Sequence, residues 1–585
     1  MTSRAVDWRV SRAGFRAGVA LLSAVLFAPA RGVMHAQGPD IGTQEQRESG
    51  RKVYVKYCSQ CHGEKGDGEG YAAPHVLPKP RNFTSGKFKV RTTPTGALPT
   101  HQDLVNVIRR GMPYTSMPAW PNLTEADVSN VAYFVESFSA DFANPEIVPK
   151  PVPLPSAPSV TKESVALGKK LYEESGCVKC HGTLGRGDGP SAPTLKDDWS
   201  HSIRAANLTQ SWTFRGGSSR EDIFRTMSTG FNGTPMPGFL DALQPEQRWA
   251  ITDFIVSLSD SHGPGYTNLV MAKHVEDSID LAKGTASFES ARVARFPVVG
   301  QIMEPGRAFH PSATSVTVQA IYDAESIALL VRWHDMRAEK SGKNGLSLPV
   351  PPGEEEEAAP TGTAPEEGLW GEAEAAQTPA GEAQAPGAAQ DPFAEEAEPA
   401  APTSEFSDAV AIQIPSQPTV GARKPYFIFG DAQSSVDLWF FDLARSEPLQ
   451  FIGKGSADIA PNDSGDITGV ASYDQGEWSV IFKRPLRPDT GARLAPGEFM
   501  PIAFSVWDGL ARERGNKRGL TVWHSLYLEP DVVPSAVGPM IRTALFILFI
   551  ELAVIGWVRW RYTARRGEEP GGAPLRAGGA TAGPP

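Results

Sequence analysis

The distribution of apolar residues in the first half of the chain predicts amphipathic helices arranged in two pairs. Apolar positions recur at helical spacing in four segments, 45–57, 124–137, 162–174 and 245–258. Thr124 and Asp127 form a capping-box pattern at the start of the second segment, with Asp in place of the more usual Glu or Gln. Each pair of helices therefore brackets one predicted helical unit.

The pattern changes from helical to alternating after the second unit. Strand patterns occur at 316–322, 327–333, 436–441, 502–507 and 520–528. The first two of these strands are predicted to form a hairpin through a turn at 323–326. A second hairpin is predicted around 474–477, with Trp478, Val480 and Phe482 on one face of its second strand. The region 263–534 is therefore predicted to be an all-β antiparallel sandwich domain.

An apolar run near the start of the chain predicts a signal peptide. The run covers 18–27, follows four arginines and precedes the small residues Ala28 and Ala30. It is too short to span a membrane, which argues against an uncleaved anchor. We expect residues 1–36 to be removed on export, although the cleavage site itself is open.

A second apolar run, 535–558, predicts a single transmembrane helix close to the other end. Arginines follow it in the tail 559–585, at Arg559, Arg561, Arg565 and Arg566. Because positive charge favours the cytoplasmic side, the tail is expected in the cytoplasm and the bulk of the chain in the periplasm. The predicted location is the inner membrane, crossed once.

A repeat of 119 residues is the clearest internal feature of the sequence. The shift aligns two Cys-x-x-Cys-His motifs, residues 58–62 with residues 177–181. It also aligns a series of glycines after each motif, and Gly111 with Gly230. Met117 likewise falls on Met236. The two helical units are therefore predicted to be copies of one domain.

The repeated motif is the signature of covalent haem attachment. All four cysteines of the chain lie in it, namely Cys58, Cys61, Cys177 and Cys180. The adjacent His62 and His181 are the expected iron ligands. A structural zinc site would need a second ligand pair nearby, and a redox dithiol would need no histidine. Two covalent c-type haems are therefore expected.

Equal spacing identifies a candidate sixth ligand for each iron. Met117 follows His62 by 55 residues, and Met236 follows His181 by 55 residues. The competing Met112 and Met227 do not match each other in register, although a methionine can also serve only to pack a pocket. Ligation by His and Met saturates the iron and raises its potential, which suits electron transfer.

Two segments of biased composition separate the domains. The proline-rich stretch 144–161 favours a semi-rigid spacer between the helical units, 37–143 and 162–262. The stretch 339–404 is rich in Ala, Glu, Pro and Gly and is predicted to be disordered. Residues 353–405 carry 14 acidic side chains, and without them the net charge of −11 becomes +3. The acidity therefore belongs to one segment and says little about partners, and no nucleic-acid partner is expected.

The two helical units resemble class I cytochromes c. The resemblance rests on the attachment motifs, the matched methionines, and residues that fit a contact between the first and last helix of each unit. Those residues are Gly50, Tyr54, Tyr133 and Phe134 in the first unit, and Gly168, Tyr172 and Phe254 in the second. The resemblance implies two all-α domains, each holding one haem c.

The β domain is similar to the haem-binding gamma subunit of ethylbenzene dehydrogenase, in the DMSO reductase family. The matching stretches are 407–413, 425–431, 504–509 and 517–523. The resemblance implies a b-type haem held by a Met and a Lys. Lys517 occupies the lysine position, but Phe429 stands at the methionine position and cannot ligate iron. Met303, His310 and Met500 are alternative ligands, and an ordinary exposed lysine is the alternative interpretation of Lys517.

The leading hypothesis is a membrane-anchored, non-catalytic electron-transfer subunit of a respiratory molybdenum oxidoreductase. The resemblance implies molybdopterin and iron–sulfur subunits as redox partners. The sequence contains no nucleophile–base motif, dinucleotide fingerprint or phosphate loop. One alternative is a dihaem peroxidase-like enzyme, which would need an open iron site. Another is a dihaem cytochrome whose β domain lacks haem and only docks a partner.

A haem count separates these hypotheses for the β domain. We expect a pyridine haemochrome assay on the purified chain to find two haem c. One further haem b per chain would support a three-haem relay through the β domain. Two haem c alone would support docking, and fewer than two would contradict the assignment of both attachment motifs.

Overall fold

The computed structural model describes residues 39–259, 263–355, 404–417, 424–463, 466–530 and 537–566. The predicted signal peptide lies outside the described residues. So do most of the acidic insert and most of the C-terminal tail. The described part consists of two helical domains, a large β-sheet region and one long C-terminal helix.

The first helical domain contains four α-helices: α1 Gln44–Tyr57, α2 Ser59–His62, α3 His101–Arg110 and α4 Glu125–Glu136. The predicted capping box is confirmed, because the Thr124 hydroxyl accepts from the Asp127 amide at the start of α4. Helices α1 and α4 approach closely at Gly50, where a Cβ atom would lie 1.9 Å from the Asn130 carbonyl oxygen. Only glycine permits this contact.

The second helical domain repeats the arrangement with α5 Lys162–Glu174, α6 Val178–His181, α7 Arg220–Thr229 and α8 Pro245–Leu258. Here Gly168 takes the position of Gly50, and a Cβ atom would lie 1.9 Å from the Ala250 carbonyl oxygen. Tyr172 packs against Phe254, with ring centroids 5.2 Å apart. The predicted contact between the first and last helix is therefore present in both domains.

The β region follows with fourteen described strands. They are β1 Leu269–His274, β2 Ala294–Pro297, β3 Val299–Gly300, β4 Ser315–Tyr322, β5 Ser326–His334, β6 Ala409–Pro415, β7 Val436–Asp442, β8 Leu449–Gly453, β9 Ile459–Pro461, β10 Thr468–Asp474, β11 Glu477–Pro485, β12 Phe499–Trp507, β13 Gly519–Leu520 and β14 His524–Leu528. Both predicted hairpins are confirmed, since β4 pairs with β5 and β10 pairs with β11 in antiparallel register.

Eleven of the described strands form one continuous path in the order β10-β11-β5-β4-β1-β14-β12-β6-β7-β8-β9, while β2, β3 and β13 pair off this path. Strand β12 belongs to two halves of this path, because residues 499–502 pair with β14 and residues 503–507 pair with β6. One buried cluster draws on both halves, with Trp333 and Trp478 from one and Ile412 and Trp439 from the other. The core of the β domain therefore lies between the two halves.

The prediction of a purely antiparallel domain is wrong at the centre of the sheet. Strand β1 runs parallel to both of its neighbours, β4 and β14. It begins the domain, β14 ends it, and the two pair side by side. An alternating pattern gives a strand's buried face but not its direction, so the sequence carries no signal for this pairing.

The predicted disordered insert, 339–404, is structured at its start. Leu346 is buried, and the Asn344 side chain donates to the backbone oxygens of Ser407 and Glu513. A short 3₁₀-helix, Pro352–Glu355, ends the described part of this segment. A few apolar and amide side chains are enough to order residues 339–355, which the acidic composition of the whole segment obscured.

The helix α9, Val537–Arg566, is the one helix of the described residues that is long and apolar enough to cross a membrane. Its apolar part is Val537–Thr563, and the most apolar stretch of it is not buried by the rest of the described residues. The predicted span 535–558 overlaps it, and the basic residues Arg559 and Arg561 continue the same helix.

Candidate haem sites

The attachment motifs occupy matching helical turns directly after α1 and α5. The His62 amide donates to the Cys58 carbonyl at 3.0 Å, and the His181 amide donates to the Cys177 carbonyl at 2.9 Å. All four cysteines are unpaired and partly buried. Each turn therefore presents two thiols and one imidazole on a single short helix, as covalent haem attachment requires.

Each motif histidine is oriented by a backbone carbonyl. His62 Nδ1 lies 3.1 Å from the Arg81 carbonyl, and His181 Nδ1 lies 2.9 Å from the Ala206 carbonyl. Nδ1 is thus the donor, which leaves Nε2 as the nitrogen that can ligate iron. Burial lowers the pKa of both imidazoles, which favours the neutral form that binds a metal.

The candidate methionines lie in loops with the same hydrogen-bond pattern. The Met112 amide donates to the Met117 carbonyl at 3.0 Å, and the Phe231 amide donates to the Met236 carbonyl at 3.1 Å. Phe231 therefore occupies in the second loop the position that Met112 holds in the first. Met227 is buried within the core of the second domain. Met117 and Met236 are thus the methionines that occupy equivalent positions.

Glycine is required before each methionine loop. Gly111 and Gly230 have φ angles of +68° and +64°. A Cβ atom on Gly230 would lie 2.5 Å from the carbonyl carbon of Pro237, next to Met236, and Gly111 has the same restriction at Pro118. The repeated glycine therefore lets each methionine loop fold back onto the end of the preceding helix.

Two tyrosines make hydrogen bonds that the sequence did not predict. The Tyr54 hydroxyl donates to the Gly63 carbonyl at 2.7 Å, and the Tyr172 hydroxyl donates to the Gly182 carbonyl at 2.6 Å. The sequence placed both residues only in the contact between helices. Since each glycine follows the motif histidine, the tyrosine also fixes the end of the attachment turn.

The two cytochrome-like domains are joined at the second methionine loop. The buried Arg91 of the first domain donates to the carbonyls of Thr229 and Gly230, at 2.6 and 3.2 Å. The Asn232 side chain continues the contact, accepting from the Gly96 amide at 2.9 Å and donating to the Ala97 carbonyl at 3.2 Å. The backbone around the second loop is therefore held by the first domain.

Cationic side chains gather beside this interface. Lys89 is buried, and burial together with the nearby Arg215 and Arg81 lowers its pKa to about 7. Burial also lowers the pKa of Arg81 to about 10, against the opposing influence of Asp197 and Asp198. The Arg81 carbonyl also receives the His62 bond, so this cationic group borders the first attachment site. Its chemistry fits haem propionates, which are carboxylates.

The β domain contacts both helical domains. Arg186 of the second domain donates to the Gln475 carbonyl at 3.0 Å, and Arg204 donates to the Ser312 carbonyl at 3.1 Å. His310 Nε2 lies 3.0 Å from the His75 carbonyl of the first domain. Both Arg186 and His75 lie in the loops that follow the attachment motifs, so the β domain touches these loops in both domains.

Lys517 is buried, so its interpretation as an ordinary exposed lysine is wrong. Its ammonium donates to the Glu354 carbonyl at 2.7 Å, and burial lowers its pKa. Phe429, at the position of the family's methionine, is buried with a φ angle of +62°. The guanidinium of Arg518 covers its ring, with the guanidinium carbon 3.8 Å from the ring centroid.

The three substitute ligands differ in how the fold places them. Met500 is in the hydrophobic core, and His310 is bound to the His75 carbonyl. Met303 is largely exposed, at 64% of its surface. Its amide donates to the Gln301 side chain, which in turn donates to the Asn516 carbonyl. Of the three alternative ligands, Met303 is therefore the one whose loop is hydrogen-bonded, through Gln301, to the turn that carries Lys517.

Comparison with known families identifies the class of the two helical domains. Residues 165–259 match the family model for cytochrome c. Residues 45–135 match the model for cytochrome c oxidase, cbb3-type, subunit III. The chain therefore contains two cytochrome c-type domains, and domains of this class carry covalent haem c.

Two curated relatives belong to respiratory systems. A Haloferax mediterranei protein, named as a respiratory nitrate reductase heme subunit, is 25% identical over 26% of this chain and 52% of its own length. The cbb3-type cytochrome c oxidase subunit CcoP of Helicobacter pylori is 26% identical over 26% of this chain and 42% of its own length. The chain thus spans about half the length of these relatives.

A solved structure from Kuenenia stuttgartiensis is also similar in sequence. It is described as a reducing HAO-like protein complex and is 42% identical. The match covers 36% of this chain and 96% of that chain, with a TM-score of 0.35.

Replacing Arg91 by methionine tests the contact between the cytochrome domains. We expect Arg91→Met to lower the free energy of unfolding by about 1–3 kcal/mol, because buried carbonyls lose their donor. The measurement is urea unfolding of the detergent-solubilised chain. Arg110→Met is the matched control, since exposed Arg110 donates to the Arg215 and Gly216 carbonyls across the same interface. Equal losses in the two variants would contradict a special role for Arg91.

Proposed function

We propose that this chain is a membrane-anchored dihaem cytochrome c that transfers electrons as a subunit of a respiratory oxidoreductase. The observation that carries the proposal is the duplicated site, in which His62 and Met117 of the first domain correspond to His181 and Met236 of the second. Bound haem supplies one-electron oxidation and reduction at its iron. The chain's residues attach it, ligate it and fix its potential.

The geometry of the described residues supports a role for each residue of the two sites. Cys58 and Cys61 attach the first haem, and Cys177 and Cys180 attach the second. The histidine of each motif would bind the iron through Nε2, while its Nδ1 hydrogen bond restrains rotation of the ring. The methionine would supply the second ligand, a soft neutral sulfur, which favours the reduced iron.

Saturated iron supports electron transfer over peroxidase-like catalysis. With histidine and methionine in the two axial positions, neither iron keeps an open site for a substrate. The printed names of the Haloferax mediterranei and Helicobacter pylori relatives also refer to respiratory enzyme subunits. A signal peptide at residues 1–36 and the helix α9 support a periplasmic location with an inner-membrane anchor and a cytoplasmic C-terminus.

The partner class comes from the resemblance of the β domain. Molybdopterin and iron–sulfur subunits are the partners that the proposed resemblance to the ethylbenzene dehydrogenase gamma subunit implies. In this proposal the β domain is the platform that holds both cytochrome domains and meets the partner. Its contacts with the loops after both attachment motifs support that role.

A second role for the β domain is binding of a b-type haem. The Gln301 side chain bonds both the Met303 amide and the carbonyl of Asn516, the residue before Lys517. This connection favours Met303 and Lys517 as the ligand pair over Met500 and His310. Lys517 would have to leave the Glu354 carbonyl to reach iron. The haem count described above distinguishes this role from docking alone.

Methionine variants test the axial ligands. We expect Met117→Ala and Met236→Ala each to lower one of the two midpoint potentials, by on the order of 100 mV, since axial ligands set haem potentials. Each reduced variant should also bind carbon monoxide at one haem, because its iron has lost a ligand. Spectroelectrochemistry and carbon monoxide difference spectra measure both effects.

The volume-conserving variants Met112→Leu and Met227→Leu are the matched controls and should leave both potentials unchanged. Carbon monoxide binding by the reduced wild-type protein would contradict saturated iron and favour the peroxidase-like alternative.

Gentle detergent purification tests the proposed partners. We expect a molybdopterin subunit and an iron–sulfur subunit to co-purify with the chain, as identified by mass spectrometry and metal content. A chain that purifies alone and exchanges electrons rapidly with a soluble cytochrome would overturn the molybdenum-enzyme assignment while leaving the dihaem assignment in place.

A further inference from the structure

Three carboxylates meet at the ends of strands in the β domain. Asp335 follows β5, Asp408 precedes β6 and Asp508 follows β12. All three side chains are buried, and one carboxylate oxygen from each lies within 4.8 Å of the other two. Strand β5 belongs to one half of the sheet, and β6 to the other, so the cluster joins the two halves.

The cluster contains a buried acceptor that has no donor. Asp408 is well bonded, since it accepts from the Trp478 indole at 2.9 Å and from the Glu339 and Gly509 amides at 2.7 and 2.8 Å. Asp335 Oδ1 accepts only a longer bond from the Arg337 amide, at 3.2 Å. Asp335 Oδ2 is fully buried and has no hydrogen-bond partner among the described residues. A buried carboxylate oxygen without a partner is costly and indicates a missing ligand.

Three arginines near the cluster are bound to other carboxylates, and the Lys340 ammonium lies over the Trp478 ring, 5.4 Å from its centroid. Arg337 binds Glu339, while Arg512 and Arg514 bind Glu354. Glu513 adds another buried carboxylate beside Asp508. Four buried carboxylates therefore lie together, and no described ion pair joins Asp335, Asp408 or Asp508 to a basic side chain.

We propose that Asp335, Asp408 and Asp508 bind a calcium ion. Calcium takes oxygen ligands at about 2.3–2.6 Å, so oxygens on opposite sides of the ion are up to about 5 Å apart, which accommodates the observed spread. The donors are all carboxylate oxygens, which favours a hard cation over zinc or copper. The unpartnered Asp335 Oδ2 supplies the acceptor that the ion would satisfy.

The position of the site indicates what the ion stabilises. The Asp335 amide donates to the Gly476 carbonyl at 3.0 Å, and the Tyr473 hydroxyl donates to the Asp335 carbonyl at 3.0 Å. These residues support the β10–β11 turn, where Arg186 of the second cytochrome domain binds the Gln475 carbonyl. The calcium ion would therefore hold together the surface on which that domain rests.

Metal content and thermal unfolding of the full detergent-solubilised chain test the proposal. The chain is stripped with a chelator and titrated with calcium chloride, with magnesium chloride in parallel. We expect about one calcium ion per chain and a rise in Tm of roughly 5–10 °C at about 100 times the Kd. Magnesium should give a smaller rise, because it demands shorter and more regular coordination.

The variant Asp335→Asn should lose the calcium-dependent rise in Tm. In the presence of chelator it should unfold at or above the wild-type Tm, because one repelling carboxylate is gone. Asp323→Asn is the matched control: Asp323 is an equally buried aspartate, but its oxygens accept from the Ile279, Glu325 and Ser326 amides. This control should unfold at a lower temperature yet keep the calcium-dependent rise.

Absence of bound calcium from the wild-type chain, with no change in Tm on titration, would overturn the proposal and assign the charge balance to protons. An unchanged calcium response in Asp335→Asn would also overturn it. The wild-type measurement decides the question even where a variant fails to fold. Neither the metal content nor the Tm depends on electron transfer by the haems. A failure of the calcium proposal can therefore be distinguished from a failure of the proposed function.

Discussion

The close approach of the first and last helix in each cytochrome domain is the constraint on which both candidate haem sites depend. Gly50 and Gly168 let the two backbones come into contact, because any Cβ atom would collide with a carbonyl of the partner helix. The attachment turn begins directly after the first of these helices, and the methionine loop precedes the last. Fixing the two helices therefore fixes the attachment turn and the methionine loop together.

Electrostatics divides the molecule into two contrasting regions. Lys89, Arg81 and Arg215 lie beside the contact between the cytochrome domains, where burial and mutual repulsion lower the pKa of Lys89. In the β domain, carboxylates lie close together and burial raises their pKa values. Both regions carry a charge that the described side chains leave incompletely balanced. The first suits an anionic group such as a haem propionate, and the second suits a cation.

The β domain contacts both cytochrome domains. It reaches the second cytochrome domain through Gln475 and Ser312, and the first through His310. Arg91 ties the two cytochrome domains to each other at the second methionine loop. An electron carrier benefits from such fixed geometry, since a relay between two haems depends on holding them at a constant separation and orientation.

The sequence by itself determined what depends on local spacing. Local patterns and the repeat predicted the attachment motifs, the paired methionines and the helices that bracket each domain. They also predicted both hairpins and the apolar C-terminal helix. Each of these features depends on residues a few positions apart or on the repeat itself. Only the tertiary structure decided the parallel pairing of β1, the carbonyl bound by each histidine, the Arg91 contact, the burial of Lys517 and the Asp335–Asp408–Asp508 cluster. These features join residues far apart in the chain, and their proximity is set by strand order and domain packing, which a pattern of apolar and polar positions does not encode.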